Sequence, residues 1–213
     1  MEFISKELDN YIVSHSEDEP GLLQQLNRET HQKVLQPRML SGHYQGRVLS
    51  MLSKIINPEN ILEIGTYTGY SAICLAEGLH NEGTLHTIDI NEELHDFQRK
   101  YFDKSGYGKR IIQHTGDAQE IISKLNMTFD LVFMDADKEN YVNYFHAVID
   151  KMNQGGIILS DNVLWSAKVL EPLKPDDEAT RSLMEYNVLL KTDQRIETVI
   201  LPIRDGLTIS RKK

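Results

Sequence analysis

A single cysteine, no long apolar run and no leader-like start set the first limits on this 213-residue sequence. Cys74 cannot form an internal disulfide, which fits a reducing compartment, and its apolar neighbours predict an inert core thiol instead of a nucleophile. No stretch of about eighteen apolar residues is present, so no transmembrane helix is expected. The opening MEFISKELDN lacks the basic and apolar regions of a secretory signal. We therefore expect a cytoplasmic protein with no membrane partner.

Basic residues are also scarce, since 23 Lys and Arg stand against 32 Asp and Glu, for a formal net charge of -9. Nucleic-acid-binding proteins usually carry a basic footprint, so no nucleic-acid partner is expected. The one compact basic run, Arg211 to Lys213, is expected to be a solvated C-terminus. The length and a hydrophobic fraction of 40% predict one globular domain over residues 1–213.

The apolar pattern changes near residue 57. Residues 1–57 show only helical periodicity, interrupted at Pro37 and at Ser41 and Gly42, whereas residues 58–213 alternate strand-like and helical runs. Such alternation predicts a parallel sheet with helices on both faces. Only Pro202–Gly206 joins the last two strand-like runs, which permits a hairpin but no crossover helix. We predict an α/β fold: a Rossmann-like, doubly wound, seven-stranded mixed sheet with an antiparallel C-terminal strand and an N-terminal helical cap. Its strands are expected near residues 60–64, 84–89, 110–114, 129–135, 156–160, 197–201 and 207–210.

A glycine turn follows the first predicted strand, in the segment LEIGTYTGYS. Glycine permits a sharp turn and lets a ligand approach the main chain. The spacing is Gly65-x-x-x-Gly69 and not the G-x-G-x-x-G of dinucleotide enzymes, and the Glu63 carboxylate would repel a pyrophosphate. A cofactor with a ribose and a positive centre suits this turn better, and S-adenosylmethionine has both.

Two further acidic residues follow predicted strands two and three. Asp89 lies 24 positions after Gly65, close to the distance of about twenty at which a carboxylate usually holds a ribose diol. The alternative is that Asp89 caps the following helix. The segment Thr115-Gly116-Asp117-Ala118 offers small residues for an adenine edge, but Asp117 suits a helix cap at least as well.

The fourth and fifth predicted strands end in the most reactive side chains. The fourth leads into Asp135, Asp137 and Lys138, and the fifth ends at Asp161 and Asn162. If the two strands are neighbours, Asp135, Asp161 and Asn162 form an all-oxygen cluster, which suits magnesium, calcium or manganese and not zinc. The alternative is a set of ordinary turn residues.

Five ordered motifs together resemble the cation-dependent class I O-methyltransferases, the group that includes the caffeoyl-CoA and catechol enzymes. These motifs are LEIGTYTGYS, HTIDIN, FDLVFMDADKENY, GGIILSDNVLW and LPIRDGLTI. The resemblance implies an S-adenosylmethionine-dependent enzyme that methylates a hydroxyl of a catechol-type small molecule and forms a homodimer. Vicinal hydroxyls are the expected acceptor because two adjacent oxygens can chelate one cation.

The resemblance also assigns roles to single residues. It implies Asp135, Asp161 and Asn162 as cation ligands, and it implies Lys138 and Asp135 as catalytic residues, with Lys138 as the general base. Trp165 and Tyr141 could enclose an aromatic acceptor, although each could equally be a core aromatic. Contacts to S-adenosylmethionine are implied for Ser41, Glu63, Gly65, Thr66, Ser71, Asp89, Ala118 and Asp137.

Two positions depart from the plant caffeoyl-CoA pattern: Ser166 replaces an asparagine and Arg204 replaces a glycine. We expect both to alter acceptor contacts and neither to touch the methyl-transfer machinery. Two other functions compete with a methyltransferase. A nicotinamide-dependent oxidoreductase would need the pyrophosphate turn that is missing here, and a non-catalytic protein would bind the cofactor without turnover.

Overall fold

The computed structural model describes residues 4–213. Within these residues, three α-helices come first in succession, and five more α-helices and seven strands follow from residue 60 onwards. In chain order they are α1 (Lys6–Ser14), α2 (Gly21–Lys33), α3 (His43–Ile56), β1 (Asn60–Ile64), α4 (Tyr70–Ala76), β2 (Thr84–Asp89), α5 (His95–Lys104), β3 (Ile111–Thr115), α6 (Ala118–Lys124), β4 (Phe129–Met134), α7 (Tyr141–Ile149), β5 (Met152–Asp161), α8 (Glu178–Thr192), β6 (Ile196–Leu201) and β7 (Leu207–Lys212).

The strands form one sheet in the order β3-β2-β1-β4-β5-β7-β6. β1 pairs in parallel with β2 and β4, and β7 is antiparallel to both β5 and β6. The predicted doubly wound, seven-stranded mixed sheet with its C-terminal hairpin is therefore confirmed. Because the strand order reverses between β1 and β4, a crevice opens at their carboxyl ends, where such sheets bind ligands.

Two buried clusters cover the two faces of the sheet. One face packs α2 to α5 against the strands, with Leu26, Leu49 and Phe133 fully buried. The other face packs α6 to α8, with Phe145 and Tyr186 fully buried. Since α2 and α3 share a core with the sheet, these two helices of the segment predicted as a cap form part of the layer on that face. The single-domain organisation over residues 1–213 stays a prediction.

Some predicted details were wrong. The first helical stretch has an additional break, since residues 15–20 separate α1 from α2, and Pro20 stands at the N-cap of α2. The basic end is not simply solvated: Arg211 and Lys212 belong to β7, and Lys212 Nζ donates to the carbonyls of Ile149 and Met152 at 3.0 and 2.8 Å. Long-range strand pairing decided this, and local charge did not reveal it.

Cys74 is fully buried, and burial raises the pKa of its thiol to about 12. The thiolate is the reactive form of cysteine, so this residue behaves as the predicted inert core thiol.

Candidate active site

A cavity of about 2050 Å³ lies over the carboxyl ends of β1, β2, β4 and β5. A pocket for one small ligand usually has a volume of about 300–1,000 Å³, so this cavity can hold two small molecules side by side. Its wall includes Gly65, Asp89, Ala118 and Asp137 from the predicted cofactor set and Asp135, Asp161, Asn162, Lys138 and Trp165 from the predicted reaction site.

Gly65 turns the chain where β1 ends. Its φ is +99°, and a Cβ built there would lie 1.9 Å from the main-chain oxygen of Asp135. The Asp135 amide in turn donates to the carbonyl of Ile64 at 2.9 Å. Glycine is therefore required both for the left-handed backbone and for the close approach of β1 to the end of β4.

Glu63 lies beneath this turn and is fully buried. Its Oε2 accepts a hydrogen bond from Thr87 Oγ1 at 2.6 Å, and that hydroxyl also lies 2.5 Å from Thr66 Oγ1. Burial raises the pKa of Glu63 to about 8, and the charges of Asp135 and Asp89 add to the rise. Its Oε1 has no hydrogen-bond partner within the part of the chain that the structure describes.

Asp89 ends β2 with both carboxylate oxygens held by main-chain amides. Tyr67 N donates to Oδ2 at 2.7 Å, and Asn91 N donates to Oδ1 at 2.8 Å. The following short 3-10 helix is capped by Asn91, so Asp89 is not that helix's N-cap. Asp89 is part of the cavity wall, and its contact with a ribose stays a prediction.

Asp117 and Asp137 differ in what holds them. Asp117 caps α6 by accepting from Glu120 N at 2.9 Å, as the alternative interpretation predicted. Asp137 accepts from Tyr144 Oη and from Asn140 Nδ2, each at 2.5 Å, so its carboxylate is fixed at the cavity wall.

β4 and β5 are adjacent, and their ends bring Asp135 and Asp161 to the same cavity. Asp161 is 2% exposed, with Oδ1 accepting from Asn162 N at 2.8 Å and Oδ2 accepting from Gln45 Nε2 at 2.6 Å. Burial raises the pKa of Asp161 to about 6, and repulsion from Asp135 adds to the rise. Asn162 follows with a left-handed φ of +59°.

Lys138 is buried beside these carboxylates. Its Nζ donates to Asp135 Oδ1 at 3.0 Å and to Tyr141 Oη at 2.7 Å. Tyr141 Oη lies 2.9 Å from the Asp161 carbonyl and 3.2 Å from the Met134 carbonyl. Lys138 is thus held at the cavity wall by groups at the ends of both strands.

The structure corrects the role predicted for Tyr141. This ring is fully buried and packs edge-on against Tyr186 at 5.3 Å between centroids, so it cannot enclose an acceptor. Tyr141 supports Lys138 instead. Trp165 does line the cavity, within a run of three left-handed residues whose φ values are +48°, +53° and +65°. Its indole nitrogen is buried without a partner among the described residues.

Four residues of the predicted cofactor set are buried behind the cavity. These are Ser41, Glu63, Thr66 and Ser71, which are at most 7% exposed. Over residues 4–213, no three or more His, Cys, Asp and Glu side chains group as metal ligands. The predicted cation ligands are two carboxylates and one amide, so they fall outside such a grouping.

Comparison with known proteins identifies the family. The family model described as O-methyltransferase matches residues 13–213. A caffeoyl-CoA O-methyltransferase of Petroselinum crispum is 36% identical over 98% of this chain and 91% of the relative. This chain belongs to the O-methyltransferase family.

Solved structures agree with this assignment. An O-methyltransferase from Bacillus cereus, in complex with SAH, matches this O-methyltransferase with a TM-score of 0.90 at 26% identity, over 97% of each chain. A methyltransferase of Podospora anserina, also bound to SAH, matches with a TM-score of 0.88 at 28% identity, over 97% of this chain and 94% of that one. The fold and the enzyme class predicted from the sequence, an S-adenosylmethionine-dependent O-methyltransferase, are therefore confirmed, and an oxidoreductase is excluded. Within residues 4–213, none of the helices combines the length and apolarity needed to cross a bilayer.

The sequence did not reveal the contact between Gln45 and Asp161, nor the link from Arg204 to Gln45. Gln45 is 1% exposed and donates to Asp161, although it lies 116 residues earlier in the chain. Arg204 donates to Gln45 Oε1 at 2.8 Å, so it is connected to Asp161 through one side chain. That Arg204 has no part in methyl transfer stays a prediction. The sequence contains one signal for Gln45: it lies four positions before Leu49, so both residues share the buried face of α3.

Proposed function

We propose that this O-methyltransferase transfers a methyl group from S-adenosylmethionine to one hydroxyl of a vicinal dihydroxy aromatic molecule and uses a divalent cation. One observation carries the proposal: two carboxylates, an amide side chain and a buried lysine share one cavity with the Asp89 carboxylate. Methyl transfer needs an oxyanion and an in-line geometry more than it needs covalent chemistry.

The Gly65 and Asp89 side of the cavity fits the methyl donor. Bound S-adenosylmethionine supplies a methyl group on a positive sulfur. Asp89 is preoriented by two amide donors and can accept hydrogen bonds from a ribose diol. The unpaired Oε1 of Glu63 is a buried acceptor beneath the same turn, and a positive group nearby would favour its ionised form.

The other side fits a hard divalent cation. Asp135, Asp161 and Asn162 would hold it, because carboxylate and amide oxygens are the ligands such cations prefer. Asp135 and Asp161 repel each other in the cavity, and a cation would relieve that repulsion. When bound, the cation supplies Lewis acidity to the acceptor hydroxyls.

Lys138 is the candidate proton acceptor. An ammonium has three donors, and Asp135 and Tyr141 use two of them. Since Lys138 lines the cavity, its remaining position can meet an acceptor hydroxyl. A general base at this position would take up the proton of the hydroxyl that is methylated.

Trp165 supports an aromatic acceptor. The residue lies on the cavity wall three positions after Asn162 and carries an unpaired indole donor. A ring stacked on an indole gains about 0.5–1.5 kcal/mol beyond its area burial. Caffeoyl-CoA, the acceptor named for the plant relative, is one candidate of this class.

The test compares catechol with resorcinol, whose hydroxyls are not adjacent, as acceptors for the purified enzyme with Mg2+ or with excess chelator. We expect methylated catechol with Mg2+, loss of product with chelator and recovery when the metal is restored. Methylation that persists unchanged in excess chelator would refute the cation. Equal rates on resorcinol would refute the vicinal acceptor.

A further inference from the structure

Arg204 occupies the turn between β6 and β7 in a left-handed conformation, with φ of +48°. Such backbone is unfavourable for an arginine and suits glycine. A side chain that persists in a strained turn has a compensating interaction elsewhere. The contacts of the Arg204 guanidinium supply it.

The guanidinium reaches across the cavity rim to the loop before α3. Nη1 donates to the carbonyl of Leu40 at 3.2 Å and also to the carbonyl of Ser41. These contacts join residues 163 and 164 positions apart in sequence, so they connect the C-terminal hairpin to the N-terminal helices. Hydrogen bonds from a charged donor are about twice as strong as neutral ones.

The same nitrogen sets the orientation of a buried amide. Arg204 Nη1 donates to Gln45 Oε1 at 2.8 Å, which leaves Gln45 Nε2 to donate to Asp161 Oδ2 at 2.6 Å. A reversed amide would place two donors against each other at Arg204 and two acceptors against each other at Asp161. Arg204 therefore selects the one amide orientation that holds the Asp161 carboxylate.

We propose that Arg204 is a positioning residue that orients Asp161 for the cation through Gln45. The inference rests on the cation site of the proposed function. Partners that orient metal ligands typically change metal affinity by about 10–100-fold when they are removed.

The experiment measures Mn2+ binding to the full chain without acceptor, by electron paramagnetic resonance of the free ion. Arg204→Gly is the test variant, because glycine suits the turn's φ and keeps the hairpin foldable. We expect the Kd for Mn2+ to rise about tenfold. Arg211→Ala is the matched control. It removes another guanidinium of the same hairpin, one that pairs with Glu197 at 3.0 Å, and the Kd of this variant for Mn2+ should not change.

A double-mutant cycle separates the relay from a general loosening of the loop. Gln45→Leu should weaken Mn2+ binding by a similar factor, and the double variant should be no weaker than Gln45→Leu alone, because both changes break one chain of contacts. Fully additive effects, or an unchanged Kd in Arg204→Gly, would overturn the inference and leave the cation site standing. Absence of Mn2+ binding by the unaltered enzyme would overturn both this inference and the cation in the proposed function.

Discussion

The two sides of the cavity are built from contacts of very different range. One side is proposed to hold the methyl donor, and this donor half comprises Gly65, Asp89 and Ala118 at the ends of β1 and β2 and the start of α6. It is held by groups close in sequence, such as Tyr67 and Asp89, 22 positions apart. The other side is the one proposed to hold the methyl acceptor, and this acceptor half comprises Asp135, Lys138 and Asp161 at the ends of β4 and β5, together with Gln45 and Arg204. Its contacts join residues 116 and 159 positions apart.

This difference shows which contacts position the carboxylates in each half. In the donor half, adjacent βα units and main-chain amides position the carboxylate, so one local motif is nearly sufficient. In the acceptor half, a buried carboxylate depends on side chains from the N-terminal helix layer and the C-terminal hairpin. The acceptor half is therefore assembled only when the whole chain has folded.

The largest expected effect separates the halves by function. Asp161→Ala should lower kcat about 10³-fold, equivalent to about 4 kcal/mol, because it removes an implied cation ligand. SAH affinity, measured by calorimetry, should change less than threefold. Asp150→Ala, an exposed carboxylate that pairs with Arg195, is the control. A parallel loss of SAH binding in Asp161→Ala would show that the halves do not act separately.

Gly65 lies where the two halves meet, and its substitution should have the next largest effect, which is on stability. Gly65→Ala forces a Cβ against the Asp135 carbonyl and should lower the free energy of unfolding by about 3 kcal/mol in urea titration. Gly106→Ala is the matched control: its φ is +82° but a Cβ there meets nothing within 4 Å, so only about 1 kcal/mol of backbone strain is expected. Equal losses would mean that the close approach of β1 and β4 does not matter.

Asp89→Ala tests the donor half alone. The change removes the acceptor for two main-chain amides and the proposed ribose partner, so the Kd for SAH should rise about 30-fold, or about 2 kcal/mol. Mn2+ affinity should be unaffected. Asp103→Ala, whose partly exposed carboxylate pairs with Arg99 on α5, provides the control. A fall in Mn2+ affinity would show that the two sites are coupled.

The smallest effect concerns the outer strands that support the donor half. His86 Nδ1 lies 2.9 Å from His114 Nε2, and burial, with the His114 charge, lowers the pKa of His86 to about 4. Between pH 6.5 and about 4 the unfolded chain binds a proton that the folded protein does not, so stability falls as pH drops through this window.

Unfolding in urea at pH 7 and pH 4.5 measures this effect. After a discount for solvent screening, the unaltered protein should lose about 1 kcal/mol more on acidification than His86→Gln, which cannot titrate. His31→Gln on the exposed surface of α2 serves as the control. Identical pH dependence in His86→Gln and the unaltered protein would contradict the assignment.

The contrast in contact range also explains which predictions could be made from the sequence. The alternation of strands and helices, the glycine turn and the ends of β4 and β5 each follow from short local patterns, and the fold predicted from them is confirmed. The enzyme class, which the resemblance of five motifs implied, is confirmed as well. The sequence left the Tyr141 side chain open between the cavity and the core, because a ring three residues after Lys138 can turn either way, and the structure places it in the core. Packing against Tyr186 decides this, and position in the sequence does not.

The residue-by-residue roles at the donor and cation sites remain predictions. For these, the structure shows position only: Gly65, Asp89, Ala118 and Asp137 line the cavity, while Ser41, Glu63, Thr66 and Ser71 lie behind it. The cytoplasmic location expected from the composition and the homodimer expected from the resemblance likewise stay predictions.

By itself, the sequence determined the elements, the order of the motifs and the chemical types of the reactive side chains, because helical and strand periodicity and turn chemistry are local properties of a chain. Only the tertiary structure decided that Arg204 is connected to Asp161 through Gln45. It also decided that Tyr141 contacts Lys138 from the core, and that Lys212 donates to main-chain carbonyls. These facts depend on contacts between distant segments, and the energy of such a contact depends on which surfaces the folded layers bring together.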